Sequence, residues 1–510
     1  MRIDHAPDSD ERPVGPLGSL LRRGAVLSAS GLMIVQIIAF VQTLVLARLL
    51  DPQAVGVFTA GTVLTSLLAV LTHGTLAQAL IQRGRDVEDA AVTVFWASAA
   101  AGLGMGLLML AAAPLLGRVF HNTQVAAVAA VMSGSMLLMS VTTVPDALMQ
   151  RRFQFTRRVV VDPAVGLAYA VGAIVPAALG LGVWSMVIGS YLSLVVWIVA
   201  SWWLAHWVPW HGRFSVGLWR EMAVFSFPLL LDGVAGRLQE AVGLTLVGRE
   251  LDESALGGYR FGRRIALLPG MAVVQIGSYV LLPAFSRIAS DSRRLRDAFV
   301  RALTWIWLAA APTAAVMAAL GTPAVVLLLG EPWRSAGMAA AAMAGLGLGV
   351  AMTAVSSEAL KGAGRSGRLN WMTGVGLLTG IPLLLVLLPF GLTGVGTAAS
   401  VSAILVGVTG LVAAGPIVRV SGREMLRVLV PPLVAALVGV LVIVPVEHFV
   451  GHADQRSTLI GLFVITAESL GLLAVYLLSL RVIAPATAAR IGDAARALRS
   501  GVGAGLMRGA

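Results

Sequence analysis

Charged side chains interrupt two long apolar runs between residues 219 and 269. Six residues inside these runs carry charge: Asp232, Arg237, Glu240, Arg260, Arg263 and Arg264. The planar donors of arginine can bind phosphate oxygens in a bidentate manner, and a carboxylate can bind a cation. A charge at membrane depth costs at least about 2.5–3.5 kcal/mol, so such residues are candidate functional groups if the chain spans a membrane.

Composition places the chain in a membrane. It has 510 residues, of which 58% are hydrophobic and 12% are charged, with a mean hydropathy of +0.88. Soluble proteins carry about 25% charged residues. The apolar residues come in blocks of about 20, the length of a membrane-spanning helix, without the alternation expected of spanning strands. We therefore predict an all-α polytopic membrane protein. The absence of cysteine excludes disulfide and thiol chemistry.

The pattern predicts about fourteen spans and their orientation. The spans lie near 24–47, 54–80, 91–117, 124–148, 159–179, 182–206, 221–247, 257–283, 299–329, 335–360, 370–390, 392–418, 428–448 and 457–480. Most of the 37 basic residues then fall on the side of the N-terminus. Five lie on or near the opposite side: Arg48, Arg118, Arg249, Arg334 and Arg456. This asymmetry predicts that both termini are cytoplasmic, and it accounts for the net charge of +12 without nucleic acid.

An internal repeat relates the two halves of the chain. The turn after the first span, ARLLDPQAVGVFTAG, aligns with the turn after the seventh, GRELDESALGGYRFG, so that Asp51 matches Asp252. The fourth and tenth spans end in DALMQRR, from Asp146, and EALKGAG, from Glu358. Because the copies are six spans apart, they enter the membrane in the same direction and form parallel repeats. We predict two six-helix lobes followed by two extra C-terminal helices.

The repeat sets the predicted domain boundaries. A cytoplasmic tail, 1–20, precedes the N-terminal lobe, 21–212, and the C-terminal lobe, 213–420. The extra helices occupy 421–482, and a second cytoplasmic tail occupies 483–510. Asp146 and Glu358 are expected at inner helix ends. Glu468, in the last span, is expected to pair with a neighbouring helix.

Several stretches carry a resemblance to a known family. They are RRGAVLSASGLMIVQIIAFVQTLVLARLLDPQAVGVFTAG, DALMQRRFQFTRR, GLGVWSMVIGSYL and GGYRFGRRIALLPGMAV. They resemble the Wzx-type polysaccharide and lipopolysaccharide flippases of the multidrug/oligosaccharidyl-lipid/polysaccharide (MOP) exporter superfamily, especially colanic acid and teichuronic acid exporters. The resemblance covers roughly residues 20–480. It implies a V-shaped twelve-helix core that moves a polyprenyl-diphosphate-linked oligosaccharide from the inner to the outer leaflet of the cytoplasmic membrane by alternating access.

The resemblance gives the charged residues a task, which is to bind the diphosphate and sugars in a polar cavity. The candidate substrate-binding residues are Arg237, Arg260, Arg263, Arg264 and Gln36. Asp232 and Glu240 are candidates for coupling export to H⁺ or Na⁺. The sequence also allows purely structural roles for these charged residues. Arg237 and Glu240 are three residues apart and could form an internal ion pair, and the other arginines could extend to the outer headgroups.

Three other functions compete with polysaccharide export. Two belong to the same superfamily, a peptidoglycan-precursor flippase and a drug exporter. The third is an enzyme, a membrane-bound polymerase or glycosyltransferase. The scattered acidic residues and the absence of a metal-ligand pattern argue against it. We therefore expect no enzymatic activity, no cofactor and no metal. The expected partners are the lipid-linked oligosaccharide, membrane lipids, a coupling ion and the polymerase or glycosyltransferase machinery.

Overall fold

Helices account for all of the regular structure in the part of the chain that is described, residues 34–72, 75–83, 86–151, 155–210, 212–492 and 496 of a computed structural model. Their bounds are α1 Ile34–Leu49, α2 Pro52–Thr72, α3 Thr75–Gln82, α4 Val87–Val119, α5 Thr123–Met132, α6 Gly134–Arg151, α7 Phe155–Ala178, α8 Val183–Ala205, α9 Val216–Glu250, α10 Glu253–Arg287, α11 Ser292–Leu329, α12 Arg334–Ala342, α13 Ala344–Gly362, α14 Leu369–Leu387, α15 Gly391–Val418, α16 Gly422–Val446 and α17 Thr458–Ile483. In their described residues, the fourteen predicted segments each lie mainly on one of these helices or on a pair of them. Residues 24–33 of the first segment and 73–74 of the second lie outside the described residues.

The prediction of an all-α polytopic membrane protein is confirmed. Within the described residues, nine helical segments are long and apolar enough to cross a membrane, or ten if a bent pair counts as one span. One of the nine, Ser366–Val418, contains both α14 and α15. Neither α9 nor α10, each of 35 residues, is among them. The number fourteen therefore stays a prediction.

The helices form two compact units, and each has its own core. The first comprises residues through Leu46, Leu67–Ala112 and Ala129–Val234. Its core packs α3, α4 and α6 around the edge-to-face aromatic rings of Phe95, Trp202 and Trp207. The second comprises Ala47–Ser66, Ala113–Val128 and the chain from Ala235 onward. Its two clusters join α10, α11, α13, α15 and α16, and α11, α16 and α17.

The aligned turns of the repeat have a shared local structure. Asp51 Oδ1 accepts a hydrogen bond from the backbone N–H of Ala54 at 2.7 Å, at the start of α2. Asp252, its counterpart, accepts one from the backbone N–H of Ala255 at the start of α10. Both aspartates are N-caps, which satisfy backbone donors that a helix start leaves unpaired. The sequence similarity of the turns thus has a structural cause.

The two copies of this turn also contact each other reciprocally. A Cβ atom added to Gly56 of α2 would overlap the carbonyl oxygen of Glu253 in α10. A Cβ added to Gly257, the counterpart of Gly56, would overlap the carbonyl oxygen of Pro52, the counterpart of Glu253. Reciprocal contacts of this kind are what a two-fold axis produces. The glycines allow the two helices to cross at backbone contact.

The fourth and tenth predicted spans are both broken, which the sequence pattern did not predict. In the fourth, α5 ends at Met132, α6 begins at Gly134, and the N–H of Met136 bonds to the carbonyl of Ser133 at 3.2 Å. In the tenth, α12 and α13 meet at a 42° bend, and Leu346 N–H bonds to the Met343 carbonyl at 2.9 Å. Both breaks therefore contain a tightened turn with an i to i+3 bond.

Candidate functional site

Helices α9 and α10 bring three of the predicted charged residues together. The carboxylate of Glu240 accepts a hydrogen bond from Arg237 Nη1 at 3.0 Å, one turn away on α9. Its other oxygen accepts one from Arg263 Nη1 of α10 at 2.9 Å. Tyr259 lies beside the same arginine. Glu240 is thus a shared counter-ion, and the three-residue cluster has one excess positive charge.

This cluster is deep along its helices and open on one side. Arg237 lies about 20 Å from the nearer end of α9, and Arg263 lies about 15 Å from the start of α10. Their side chains are 52% and 37% exposed, and that of Glu240 is 32% exposed. Charged groups at such depth face a protein interior or a water-filled cavity, because lipid would not solvate them. The cluster can bind an anion if an ion pair between Glu240 and one of the arginines opens.

Arg260 lies at a different place, the contact between α2 and α10. Its Nη1 donates to Thr59 Oγ1 at 3.0 Å, and its guanidinium carbon lies 5.2 Å from the centre of the Phe58 ring. The Thr59 hydroxyl in turn donates to the carbonyl of Val55 at 2.6 Å. Cation–π and hydrogen-bond contacts therefore hold Arg260 against α2.

The contacts of the three other predicted site residues are known in less detail. Arg264 is half-buried on α10 and has an interaction of its own. Gln36 is half-buried on α1 in the first compact unit and also has an interaction of its own. Asp232 belongs to α9, but its side chain lies outside the described residues. The roles of these three residues stay predictions.

One polar contact in this region, made by Gln239, was not predicted from the sequence. Its Nε2 donates to the carbonyl of Gly376 in α14 at 2.9 Å, and a Cβ added to Gly380 would overlap that nitrogen. Gln239 therefore fixes α9 against α14, next to Glu240 in the chain. A polar residue inside an apolar run was the available signal, and glycines four residues apart on α14 were its complement.

A mostly apolar cavity with a few polar side chains lies between α13 and α15. Its volume is about 440 Å³, and its lining includes Thr353, Ser357, Glu358 and Lys361. Glu358 is buried and pairs with Lys361 Nζ at 2.9 Å. The matching residue of the first half, Asp146, instead accepts hydrogen bonds from Trp197 and Ser201 of α8, at 3.1 and 2.8 Å. The acidic residues match in position but differ in partner.

Among the described residues, no group of three or more histidines and carboxylates is arranged to hold a metal ion. The site defined above is therefore one of arginines and a carboxylate inside a helical membrane protein. These features are typical of membrane transporters that handle charged substrates, and comparison with known proteins assigns the family.

The sequence pattern of the polysaccharide biosynthesis protein family matches residues 45–337, more than half of the chain. The chain belongs to this family.

Two relatives and one solved structure extend the comparison. The succinoglycan biosynthesis transport protein ExoT of Rhizobium meliloti (strain 1021) is 27% identical over 65% of this chain and 67% of its own length. The lipopolysaccharide biosynthesis protein WzxC of Escherichia coli (strain K12) is 24% identical over 61% and 64%. The chain thus spans about two thirds of each relative. The lipid II flippase MurJ, in an inward closed conformation, matches 90% of this chain and 98% of its own at a TM-score of 0.74 and 14% identity.

Proposed function

We propose that this chain is a flippase that moves a polyprenyl-diphosphate-linked oligosaccharide across the cytoplasmic membrane for polysaccharide biosynthesis. The cluster of Arg237, Glu240 and Arg263 is the observation that carries the proposal. Two guanidinium groups from different helices converge on one carboxylate, about 15–20 Å from the nearer helix ends. A diphosphate offers the same kind of oxygen acceptor, and arginine binds it through paired donors.

The mechanism follows from the shared counter-ion. In the empty protein Glu240 neutralises one of the two arginine charges. An entering diphosphate competes with Glu240 for both guanidinium groups and remains attached until the carboxylate displaces it. Arg264 and Gln36 contribute further donors, while the lipid tail stays in the bilayer. Asp232 and Glu240 exchange H⁺ or Na⁺ in the step that resets the cluster.

The architecture supports alternating access. We assign the binding lobes to 21–212 and 213–420, the added helices to 421–482, and the terminal tails to the cytoplasm. The reciprocal contact of Gly56 and Gly257 with the opposite repeat supports this arrangement. Parallel repeats that rock against each other expose a central site to one leaflet at a time.

Substitution of Arg237 tests the proposal. In a strain that lacks the native copy, Arg237→Ala should abolish export, and the lipid-linked oligosaccharide should accumulate in the inner leaflet. The matched control is Arg249→Ala at the end of the same helix, where the arginine pairs with neighbouring Glu250. We expect the control to export normally, and both variants to reach the membrane at the wild-type level.

The identity of the accumulated lipid decides between related functions. A polysaccharide repeat unit on the carrier supports the proposal. Accumulation of a peptidoglycan precursor would assign the alternative flippase function, and normal export by Arg237→Ala would remove this arginine from the site.

A further inference from the structure

The hairpin of α16 and α17 contains an unusual turn, far along the chain from the arginine cluster. After α16, residues Glu447–Gly451 form a π-helical turn, and Ala453–Gln455 form a 3₁₀ turn before α17 begins. Single π turns are rare and occur often at functional sites. This turn directs Glu447 back toward α17.

Glu468 of α17 faces this turn with both carboxyl oxygens unpaired. Its side chain is buried, with the residue 7% exposed, and neither oxygen has a hydrogen-bond donor. Glu447 Oε1 accepts the backbone N–H of Ala453 at 3.0 Å, whereas its Oε2 is buried without a donor. A Cβ added to Gly451 would overlap both Glu447 Oε2 and Glu468 Oε1. The two unpaired oxygens therefore point into the same small space.

The surrounding elements bring one basic group near the pair. The guanidinium of Arg456 lies in the loop and donates to the carbonyls of Gly451 and Val450 at 2.6 and 2.9 Å. His448 and His452 in the same loop are exposed, and Asp454 pairs with Arg334. Helix α11, which packs on α17, has no charged residue between positions 309 and 329, and α17 has none other than Glu468 before Arg481.

We propose that Glu447 and Glu468 bind one monovalent cation, a proton that the two carboxyl groups share. Three of the four carboxyl oxygens are buried without a donor, and two negative charges so close together repel each other and lose their hydration, so one must be neutralised. A shared proton supplies the missing donor and leaves one negative charge, which Arg456 balances. A metal ion would need several oxygen ligands, and two carbonyls of this turn, those of Gly451 and Val450, are already bound by Arg456.

Thermal unfolding of the full-length protein in detergent, followed through its 12 tryptophans, tests the site. At neutral pH the folded site holds a proton that the unfolded carboxyl groups release. Stability should therefore fall as the pH rises from about 5 to about 9. Glu468→Gln replaces the shared proton with an amide N–H. The melting temperature of this variant should therefore be the same across this pH range. Glu447→Gln provides a second variant with the same expectation. Glu250→Gln, an exposed control, should retain the wild-type slope.

Two further measurements identify the occupant. The infrared band of a protonated carboxyl group should be present in the wild type at neutral pH and absent in Glu468→Gln and Glu447→Gln. Replacing choline chloride in the buffer with sodium chloride, at equal ionic strength, should leave the melting temperature at alkaline pH unchanged. A sodium-specific increase would overturn the proton as occupant. Equal pH profiles for the wild type and both glutamine variants would overturn the site.

Discussion

At the scale of single residues, Glu240 controls how much positive charge the cluster offers. One carboxylate binds Arg237 on its own helix and Arg263 on the next. In the proposed mechanism, an anionic substrate displaces this carboxylate before it binds both guanidinium groups. Partly exposed ion pairs are weak, of the order of 0.2–1 kcal/mol, so the exchange is easily reversible. Reversibility suits a protein that must release what it binds.

Glu240→Gln should raise the affinity for inorganic pyrophosphate by up to about fivefold, because the competing charge is lost while the shape is kept. Titration calorimetry of the purified protein in detergent measures this change. We expect slower export from the same variant, since release becomes the limiting step.

Glu250→Gln is the matched control, because Glu250 pairs with Arg249 at the exposed end of the same helix. Its pyrophosphate affinity should equal that of the wild type. Unchanged affinity in Glu240→Gln would show that the carboxylate does not compete with the anion.

The sequence predicted the residues of this cluster and indicated one of its two ion pairs. The three-residue spacing of Arg237 and Glu240 indicated a possible ion pair within α9, and that pair is present. The contact with Arg263 depends on how two helices are rotated against each other, which periodicity does not determine. The contact of Arg260 with Thr59 depends on helix packing in the same way.

At the scale of helices, the crossing of α2 and α10 depends on two glycines without side chains. Any side chain at Gly56 or Gly257 would overlap a backbone carbonyl of the other helix. Backbone cannot move aside as a flexible side chain can, so the helices would have to separate. The helix crossing therefore requires glycine at both positions.

Gly56→Ala and Gly257→Ala should each lower the melting temperature of the purified protein, and to a similar degree because the contacts are reciprocal. Overpacking of a well-packed core typically costs about 1–3 kcal/mol. The control is Gly347→Ala in α13, where an added Cβ meets no atom within 4 Å. That variant should be neutral or slightly more stable, since alanine favours helix by up to about 1 kcal/mol. Equal melting temperatures for all three variants would contradict the close crossing.

Helix positions followed from the hydrophobic pattern, whereas helix breaks did not. The described parts of the fourteen predicted segments coincide with helices because about twenty apolar residues in sequence define a spanning helix. The break at Ser133 lies in a Ser-Gly-Ser stretch and the break at Met343 lies in an alanine-rich run, and no proline marks either position. Local hydrogen bonding and the packing of neighbouring helices decide such breaks.

At the scale of the molecule, the proposed alternating access requires contacts between the two repeats to break. Asn122 Nδ2 donates to Glu253 Oε1 at 3.1 Å and joins the first-half turn before α5 to the start of α10. The chain contains no cysteine, so two introduced thiols can form only one disulfide within the chain. Asn122→Cys combined with Glu253→Cys should stop export under oxidising conditions and recover it on reduction.

Each single-cysteine variant serves as the control and should export in both conditions. Mass analysis of the purified double variant verifies that the disulfide has formed. Normal export by the oxidised and cross-linked protein would mean that these turns do not separate during transport.

Thr59 and Arg260 are counterparts in the two repeats, and they contact each other. Contacts between counterparts lie at or near the axis that relates the copies. In an ancestral dimer of two identical half-length chains, an arginine at this position would face its own copy, and like charges at close range repel. After fusion of the halves, each copy can mutate alone. A fused chain can thus place a single charge on its symmetry axis, where a homodimer must carry two or none.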